Sequence, residues 1–270
     1  MAAVASGAKQ PIGSDHGVIR FETRGRVGVA TIDRPERRNA LNAELCAELR
    51  GRLEDSAELR AIVLTGAGTA FCAGADLVTR FASEGDATTD TFRPAFEELL
   101  DAIVAHPAPV IAAINGPAMG AGMQLAVACD VRVATTGARL AIPGGKLGIH
   151  LSARNIWRLA QLVGQATARD FLLAGRTVDA DEALRLGLVQ YVEAEALPAA
   201  LVLAGDIAAS APLTVRGHKR ALNLIAEAQW LGDDARAEIA EREAGAFASN
   251  DLQEGLAAFA EKRTPDFHGN

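Results

Sequence analysis

The sequence predicts an α/β fold in which buried parallel strands alternate with helices. Two segments, "AIVLT" at 61–65 and "VIAAI" at 110–114, are short and wholly apolar, as is typical of strands covered on both faces. Each is followed by a glycine-rich turn and then by a helical pattern, which favours strand-to-helix crossovers. After about residue 197 the sequence becomes alanine-rich and helical, so a helical C-terminal portion is predicted.

The first half of the chain is assigned as follows. Residues 1–17 are predicted to be a flexible tail, followed by two strands at 18–21 and 27–32. Asn42 is placed to cap a helix that runs to about residue 56. The strand at 61–65 leads through a glycine loop to a helix that starts near Asp76.

From Thr91 onward, Phe92, Phe96, Leu99 and Ile103 fall on one face of a predicted helix. Pro107 and Pro109 end that helix. Its Glu97, Glu98 and Asp101 are predicted to face solvent.

The strand at 110–114 then precedes a short helix at 122–128 and a strand at 131–134. We place a domain boundary near residue 205, with a core over 18–205 and a helical region over 206–270.

Composition excludes several functional classes. The net charge of −7 and the lack of a basic stripe argue against a nucleic-acid partner. No segment approaches the roughly 18 apolar residues of a membrane span, and no apolar run of signal-peptide length precedes residue 18, so a cytoplasmic location is expected. The spacing of Cys46, Cys72 and Cys129 is unlike that of metal ligands, so no metal is expected and the three are predicted to be buried hydrophobes.

Two glycine loops, "FCAGAD" at 71–76 and "GPAMGAG" at 116–122, carry the chemistry. Each enters a helix, where backbone N–H groups lack helical partners, and small residues let a ligand approach the main chain. Two such N–H groups that point at one oxygen form an oxyanion hole. Either loop alone is also consistent with an ordinary tight turn, and neither matches the dinucleotide or Walker patterns.

Three motifs in this order resemble the crotonase superfamily of enoyl-CoA hydratases and isomerases. They are "RPERRNALN" (34–42), "TAFCAGADL" (69–77) and "NGPAMGAGMQLAVACDVRVA" (115–134), and "FAEKRTPDF" (259–267) resembles the end of that family's chains. The resemblance implies a spiral of strand–strand–helix repeats and a helical C-terminal trimerisation region, hence a homotrimer or hexamer. It also implies a fatty acyl-CoA ligand, in which coenzyme A is part of the thioester and no separate cofactor is needed.

The resemblance also assigns residues. It makes the amides of Ala75 and Ala121 the oxyanion donors, and it implies coenzyme A contacts from these two and from Arg37, Arg38, Ala40, Ala73, Asp76, Leu77, Phe259 and Lys262. Arginine suits phosphates because its guanidinium donates in a fork, and Phe259 and Lys262 are expected to reach a neighbouring subunit's ligand. Solvated arginines and a helix-packing Phe259 remain alternatives.

Hydratases of this family share acid–base work between two glutamates, which match Gln124 and Gly144 here. Glutamine is not a base near pH 7 and glycine has no side chain, and losing one such group costs about a hundred- to ten-thousandfold in rate. We therefore expect acyl-CoA binding without efficient hydration, as in the family's glutamate-deficient subgroup. A hydratase or isomerase that uses another base such as His150 and a purely structural oligomer stay open, and His150 also fits a surface or helix-cap role.

Apolar residues near these loops are consistent either with core packing or with a tunnel for the acyl chain: Phe81, Phe92, Met123, Ile142, Leu147 and Ile149. The missing side chain at Gly144 predicts extra volume near the acyl β-carbon, with a path beyond it at 83–90. On this basis long acyl chains should bind more tightly than short ones, and carboxylates restored at 124 and 144 should raise hydration.

Overall fold

The computed structural model describes residues 18–77, 90–228, 230 and 232–268. Its strands are β1 (Val18–Arg24), β2 (Val27–Asp33), β3 (Ala61–Gly66), β4 (Val110–Ile114), β5 (Ala118–Met119), β6 (Val131–Thr135), β7 (Arg139–Ala141), β8 (Thr177–Asp179) and β9 (Tyr191–Glu193). Its α-helices are α1 (Ala43–Glu54), α2 (Phe92–Ala105), α3 (Ala121–Ala128), α4 (Ala153–Ala174), α5 (Ala180–Arg185), α6 (Ala196–Ala209), α7 (Pro212–Glu227), α8 (Asp233–Phe247) and α9 (Asn250–Glu261).

A six-stranded sheet in the order β1-β2-β3-β4-β6-β9 forms the centre of the molecule. β1 and β2 are an antiparallel hairpin that turns at Gly25, where φ is 62°, and every other pairing in this sheet is parallel. A smaller sheet has the order β5-β7-β8. All residues of β3 and β4 are buried, which explains their continuous apolar sequence and confirms the predicted α/β class.

The predicted N-cap of α1 and the predicted ends of α2 are confirmed. The Asn42 side chain accepts a hydrogen bond from the amide of Leu45 at 2.9 Å and caps α1. α2 begins at Phe92 and ends at Ala105, two residues before Pro107, with the ring of Phe92 stacked on that of Phe96.

Helices cover the main sheet on both faces. Alternate strand residues such as Ile62 and Ile114 pack in the layer that contains α1 and α2. The other face packs against α6 through a stripe of small side chains spaced four residues apart, namely Ala196, Ala200, Ala204 and Ala208. The alanine-rich segment therefore begins as a core helix, and residue 205, our predicted domain boundary, lies inside α6.

A buried lysine attaches α7 to the core. Lys219 Nζ donates to Asp130 Oδ2 at 2.7 Å and to the carbonyls of Ile103 and Ala108 at 3.2 and 3.1 Å. Elsewhere on α7, Leu213 and Leu222 are 85% and 66% exposed in the single chain. Among the described helices none is by itself long and apolar enough to span a membrane, although the bent pair α6–α7 meets that criterion in combination.

The C-terminal helix α9 lies directly on the chain that follows β7. A Cβ atom on Gly255 of α9 would lie 2.6 Å from the carbonyl oxygen of Leu147, and one on Gly148 would lie 2.8 Å from Cα of Leu252. Gly148 also has a φ of 68°, which side-chain-bearing residues rarely adopt. The two backbones are therefore in contact at a pair of glycines.

Candidate functional site

The two glycine loops lie side by side and bring the two predicted donors together. The amide of Met119 donates to the carbonyl of Cys72 at 3.0 Å, which ties one loop to the other. A Cβ atom on Gly74 would lie 3.6 Å from the amide nitrogen of Ala121, the first residue of α3, and only 2.9 Å from the carbonyl oxygen of Met119. Glycine at 74, with a φ of 111°, permits this close contact.

A cavity of about 590 Å³ opens at these loops. Its wall includes most of the residues predicted from the sequence: Arg37, Arg38, Ala40, Ala73, Ala75, Asp76, Leu77, Phe92, Ala121, Gln124, Ile142, Gly144, Leu147, Ile149, His150 and Phe259. Residues separated by more than 200 positions in the sequence thus share one space.

Two described residues that were predicted to belong to this site, Met123 and Lys262, do not line the cavity. Met123 is fully buried in the core of α3, so its assignment to an acyl tunnel is wrong. Lys262 ends α9 with a φ of 56° and is not on the wall, while Phe259 lines the cavity of its own chain. Phe81 and the segment 83–89 lie outside the described residues.

Asp76 supports the loop that carries Ala75. Its Oδ2 pairs with Arg34 Nη1 at 2.8 Å, and both side chains are almost fully buried. The amide of Asp76 also donates to the carbonyl of Leu41 at 2.7 Å. This buried pair holds the loop to the chain that follows β2, and it gives Asp76 a structural role beside its place on the cavity wall.

Gly144 does not leave the space that the sequence predicts. A Cβ atom there would lie 2.6 Å from the carbonyl oxygen of Ile149 and 3.3 Å from Cδ1 of Leu151. The carbonyl of Gly144 accepts hydrogen bonds from the amides of Leu147 and Ile149 at 3.0 and 2.9 Å, which curls the chain over this position. The predicted extra volume is therefore wrong, because the folded loop occupies it.

One carboxylate that was predicted to face solvent lies on the cavity wall. Glu97 lines the cavity, where its Oε1 accepts from Ser152 Oγ at 2.9 Å and from Asn155 Nδ2 at 2.7 Å. Its neighbours Glu98 and Asp101 follow the prediction, with side chains 58% and 51% exposed. Glu97 lies outside the apolar stripe of α2 in the sequence, and its two partners begin α4, more than 50 residues away.

A second carboxylate was missed because acidic residues recur along α8 and no apolar face distinguishes one of them from the others. Glu243 is 4% exposed, lines the cavity and pairs with Arg93 at 2.5 Å. Burial raises the pKa of Glu243, whereas the charges of Arg93 and His150 lower it. No signal in the sequence singles out this glutamate among those of α8.

His150 lines the same cavity in a defined orientation. Its Nδ1 lies 2.6 Å from the carbonyl oxygen of Leu151, which only accepts hydrogen bonds, so Nδ1 carries a proton. In the neutral ring Nε2 then has a free lone pair, which suits a proton acceptor. Among the described residues no group of three His, Cys, Asp or Glu side chains is arranged to hold a metal ion.

Comparison with known proteins assigns the family. Residues 22–270 match the model of the enoyl-CoA hydratase/isomerase family. The chain belongs to this family. It is similar to "Probable enoyl-CoA hydratase echA6" of Mycobacterium tuberculosis, with 42% identity over 243 residues that cover 88% of this chain and 94% of that protein.

Other members of the family are similar to this chain in sequence and in structure. The "Short-chain-enoyl-CoA hydratase" of Clostridium acetobutylicum is 35% identical over 251 residues, covering 91% of this chain and 95% of that protein. The crystal structure of an enoyl-CoA hydratase/isomerase from Pseudoalteromonas atlantica superposes with a TM-score of 0.80 at 35% identity, covering 93% of this chain and 99% of that one. The crotonase-like fold predicted from the motifs is thereby confirmed.

Proposed function

We propose that this member of the enoyl-CoA hydratase/isomerase family binds fatty acyl-CoA thioesters through a backbone oxyanion hole and does not hydrate them efficiently. The thioester oxygen would accept hydrogen bonds from the amides of Ala75 and Ala121, with further polarisation from the N-terminus of α3. Arg37 and Arg38 would hold the phosphates of coenzyme A at the mouth of the cavity.

The observation that carries this proposal is the state of the two acid–base positions. Gln124 lines the cavity with a neutral amide, and the place of a side chain at Gly144 is taken by the carbonyl of Ile149. A stabilised enolate does not lead to hydrated product when neither of these two positions carries an acid–base side chain. Restoring a carboxylate at 144 requires a different loop conformation as well as a substitution.

The decisive experiment measures two properties of one preparation. Hydration of crotonyl-CoA is followed by the loss of enoyl absorbance, and binding of dodecanoyl-CoA is measured by calorimetry. We expect binding with hydration at least a hundredfold below that of an ordinary hydratase measured in parallel. Hydration within about tenfold of that hydratase contradicts the proposal, and absence of both binding and turnover favours a structural role.

The orientation of His150 favours a second candidate, a double-bond isomerase. Nε2 would take a proton from the α-carbon of a 3-enoyl thioester and return it to the γ-carbon, so that the double bond moves from C3–C4 to C2–C3. Conversion of 3-hexenoyl-CoA to the conjugated 2-enoyl product tests this, with His150→Gln as the variant. Turnover that His150→Gln abolishes while dodecanoyl-CoA affinity is retained would replace the first candidate by this one.

A further inference from the structure

Glu97 has no role in the proposed binding of the thioester group, yet it lies on the wall of the same cavity. It is on α2 close to the stacked rings of Phe92 and Phe96, which are 5.3 Å apart and also line the cavity. An acyl chain that enters this part of the cavity would therefore meet aromatic surface and two carboxylates, Glu97 and Glu243, of which Glu243 pairs with Arg93. The carboxylate of Glu97 makes the wall polar beside the two rings.

The position of the Glu97 carboxylate is fixed by a chain of hydrogen bonds. Ser152 and Asn155 both donate to Oε1, and Asn155 Oδ1 in turn accepts from Arg158 Nη1 at 2.9 Å. Arg158 is held by Asp101 at 2.5 Å. Because these donors converge on Oε1, a donor on a ligand would bond to the other oxygen, Oε2.

The charges around Glu97 decide which kind of donor fits. Arg154 and Arg158 both pair with Asp101, and Arg93 pairs with Glu243. With Glu97 included, three arginines balance three carboxylates, so the cluster carries no net charge while His150 is neutral. A neutral hydroxyl therefore fits better than an ammonium group, which would add an unbalanced charge.

We propose that Glu97 is a specificity-determining residue that selects acyl thioesters with a hydroxyl group on the acyl chain over plain saturated chains. The inference rests on the proposed function, since it concerns the acyl part of the same ligand. A hydroxyl would donate to Oε2 and replace the water that the acyl chain displaces from the carboxylate.

A saturated chain cannot make this replacement. Each buried methylene strengthens binding by up to about fourfold, whereas covering a polar group without a hydrogen bond weakens binding by about five- to a hundredfold. The loss cancels the gain of about one to three methylenes. The affinity of plain acyl-CoA thioesters should therefore stop rising at the chain length that reaches Glu97.

Calorimetric titration tests the inference on the full-length wild-type protein. The ligands are dodecanoyl-CoA and a series of hydroxydodecanoyl-CoA thioesters in which the hydroxyl moves along the chain beyond the β-carbon. We expect one position to bind at least fivefold more tightly than dodecanoyl-CoA. Equal affinities at every position overturn the inference while leaving acyl-CoA binding intact, and failure of every thioester to bind overturns the proposed function as well.

Two variants on the same helix give a matched comparison. Glu97→Gln keeps an oxygen for Ser152 and Asn155 but removes the charge, whereas Glu98→Gln changes an exposed carboxylate that pairs with Arg50. Glu97→Gln should bind dodecanoyl-CoA more tightly and should lose most of the preference for the hydroxyl. Identical behaviour of the two variants contradicts a role for Glu97. If Glu97→Gln does not fold, the titration of the wild-type protein with the hydroxydodecanoyl-CoA series is sufficient to test the inference.

Discussion

Gly144 lies where the loop over 144–149 packs so tightly that a side chain has no room, and a substitution there tests this packing. In Gly144→Ala the new Cβ would begin 2.6 Å from the Ile149 carbonyl oxygen, where ordinary contacts begin at 3.4 Å. The carbonyl must move by the difference, 0.8 Å, although the neighbouring amide of Ile149 is hydrogen-bonded to Gly144 at 2.9 Å. Gly145→Ala is the control, since nothing lies within 4 Å of its Cβ position.

Overpacking of this size costs about 1–3 kcal/mol, which corresponds to a Tm lowered by about 2–12 °C for a chain of this size. Differential scanning calorimetry should show this decrease for Gly144→Ala and almost none for Gly145→Ala. We also expect Gln124→Glu combined with Gly144→Glu to hydrate crotonyl-CoA no faster than Gln124→Glu alone. Two results together would refute the tight packing at Gly144: equal Tm values for the two alanine variants, and faster hydration by the double variant than by Gln124→Glu alone.

Four further outcomes follow from the structure. Arg37→Ala should weaken binding of coenzyme A thioesters about five- to tenfold and flatten its salt dependence, whereas Arg26→Ala, away from the cavity wall, should not. Burial raises the pKa of Glu243 above its unfolded value, so the contribution of this group to stability is present below about pH 4 and is lost as the pH rises through the folded pKa. The Tm of Glu243→Gln minus the Tm of the wild type should therefore increase with pH. A difference that does not change with pH contradicts this. Leu222→Asp, on the exposed part of α7, should lower the oligomeric state measured by light scattering, and an unchanged mass would exclude this face from the interface. Truncation before Asp206, which removes Ala208 from the sheet-facing stripe of α6, should give a poorly soluble or monomeric product with weakened binding, and a soluble product that binds normally would contradict it.

Elements long enough to show a repeating pattern of apolar or capping residues were predictable from the sequence. The apolar strands β3 and β4, the Asn42 cap and the apolar stripe of α2 each involve neighbouring residues, so local rules describe them. Strands of two or three residues, such as β5, β7 and β8, are too short to show a hydrophobic periodicity, and they were not predicted. They form because residues far apart in the chain pair beside the glycine loops.

Some residues of the candidate site were predictable from the sequence and others were not, for the same reason. The meeting of the two glycine loops, which places Ala75 and Ala121 on one cavity wall, was predictable because the motifs that contain these loops resemble those of a known family. The positions of Glu97 and Glu243 on the cavity wall were not predictable, since the sequence does not distinguish a buried glutamate on a helix from a solvated one until its tertiary partners are known. The closure at Gly144 depends on a carbonyl five residues away, a contact that no composition rule describes.

The backbone contacts at Gly148 and at Gly255 make the C-terminal helix part of the cavity wall. Leu147, whose carbonyl lies against Gly255, also lines the cavity, and Phe259 lines it from α9 itself. A backbone-to-backbone contact has no flexible side chain to absorb a displacement, so a shift of α9 passes directly to the residues that line the cavity. If the cavity binds a thioester as proposed, ligand affinity and the position of the C-terminal helix are thermodynamically linked. Whatever holds α9 in place would then tighten binding, and a bound thioester would stabilise the docked helix by the same free energy.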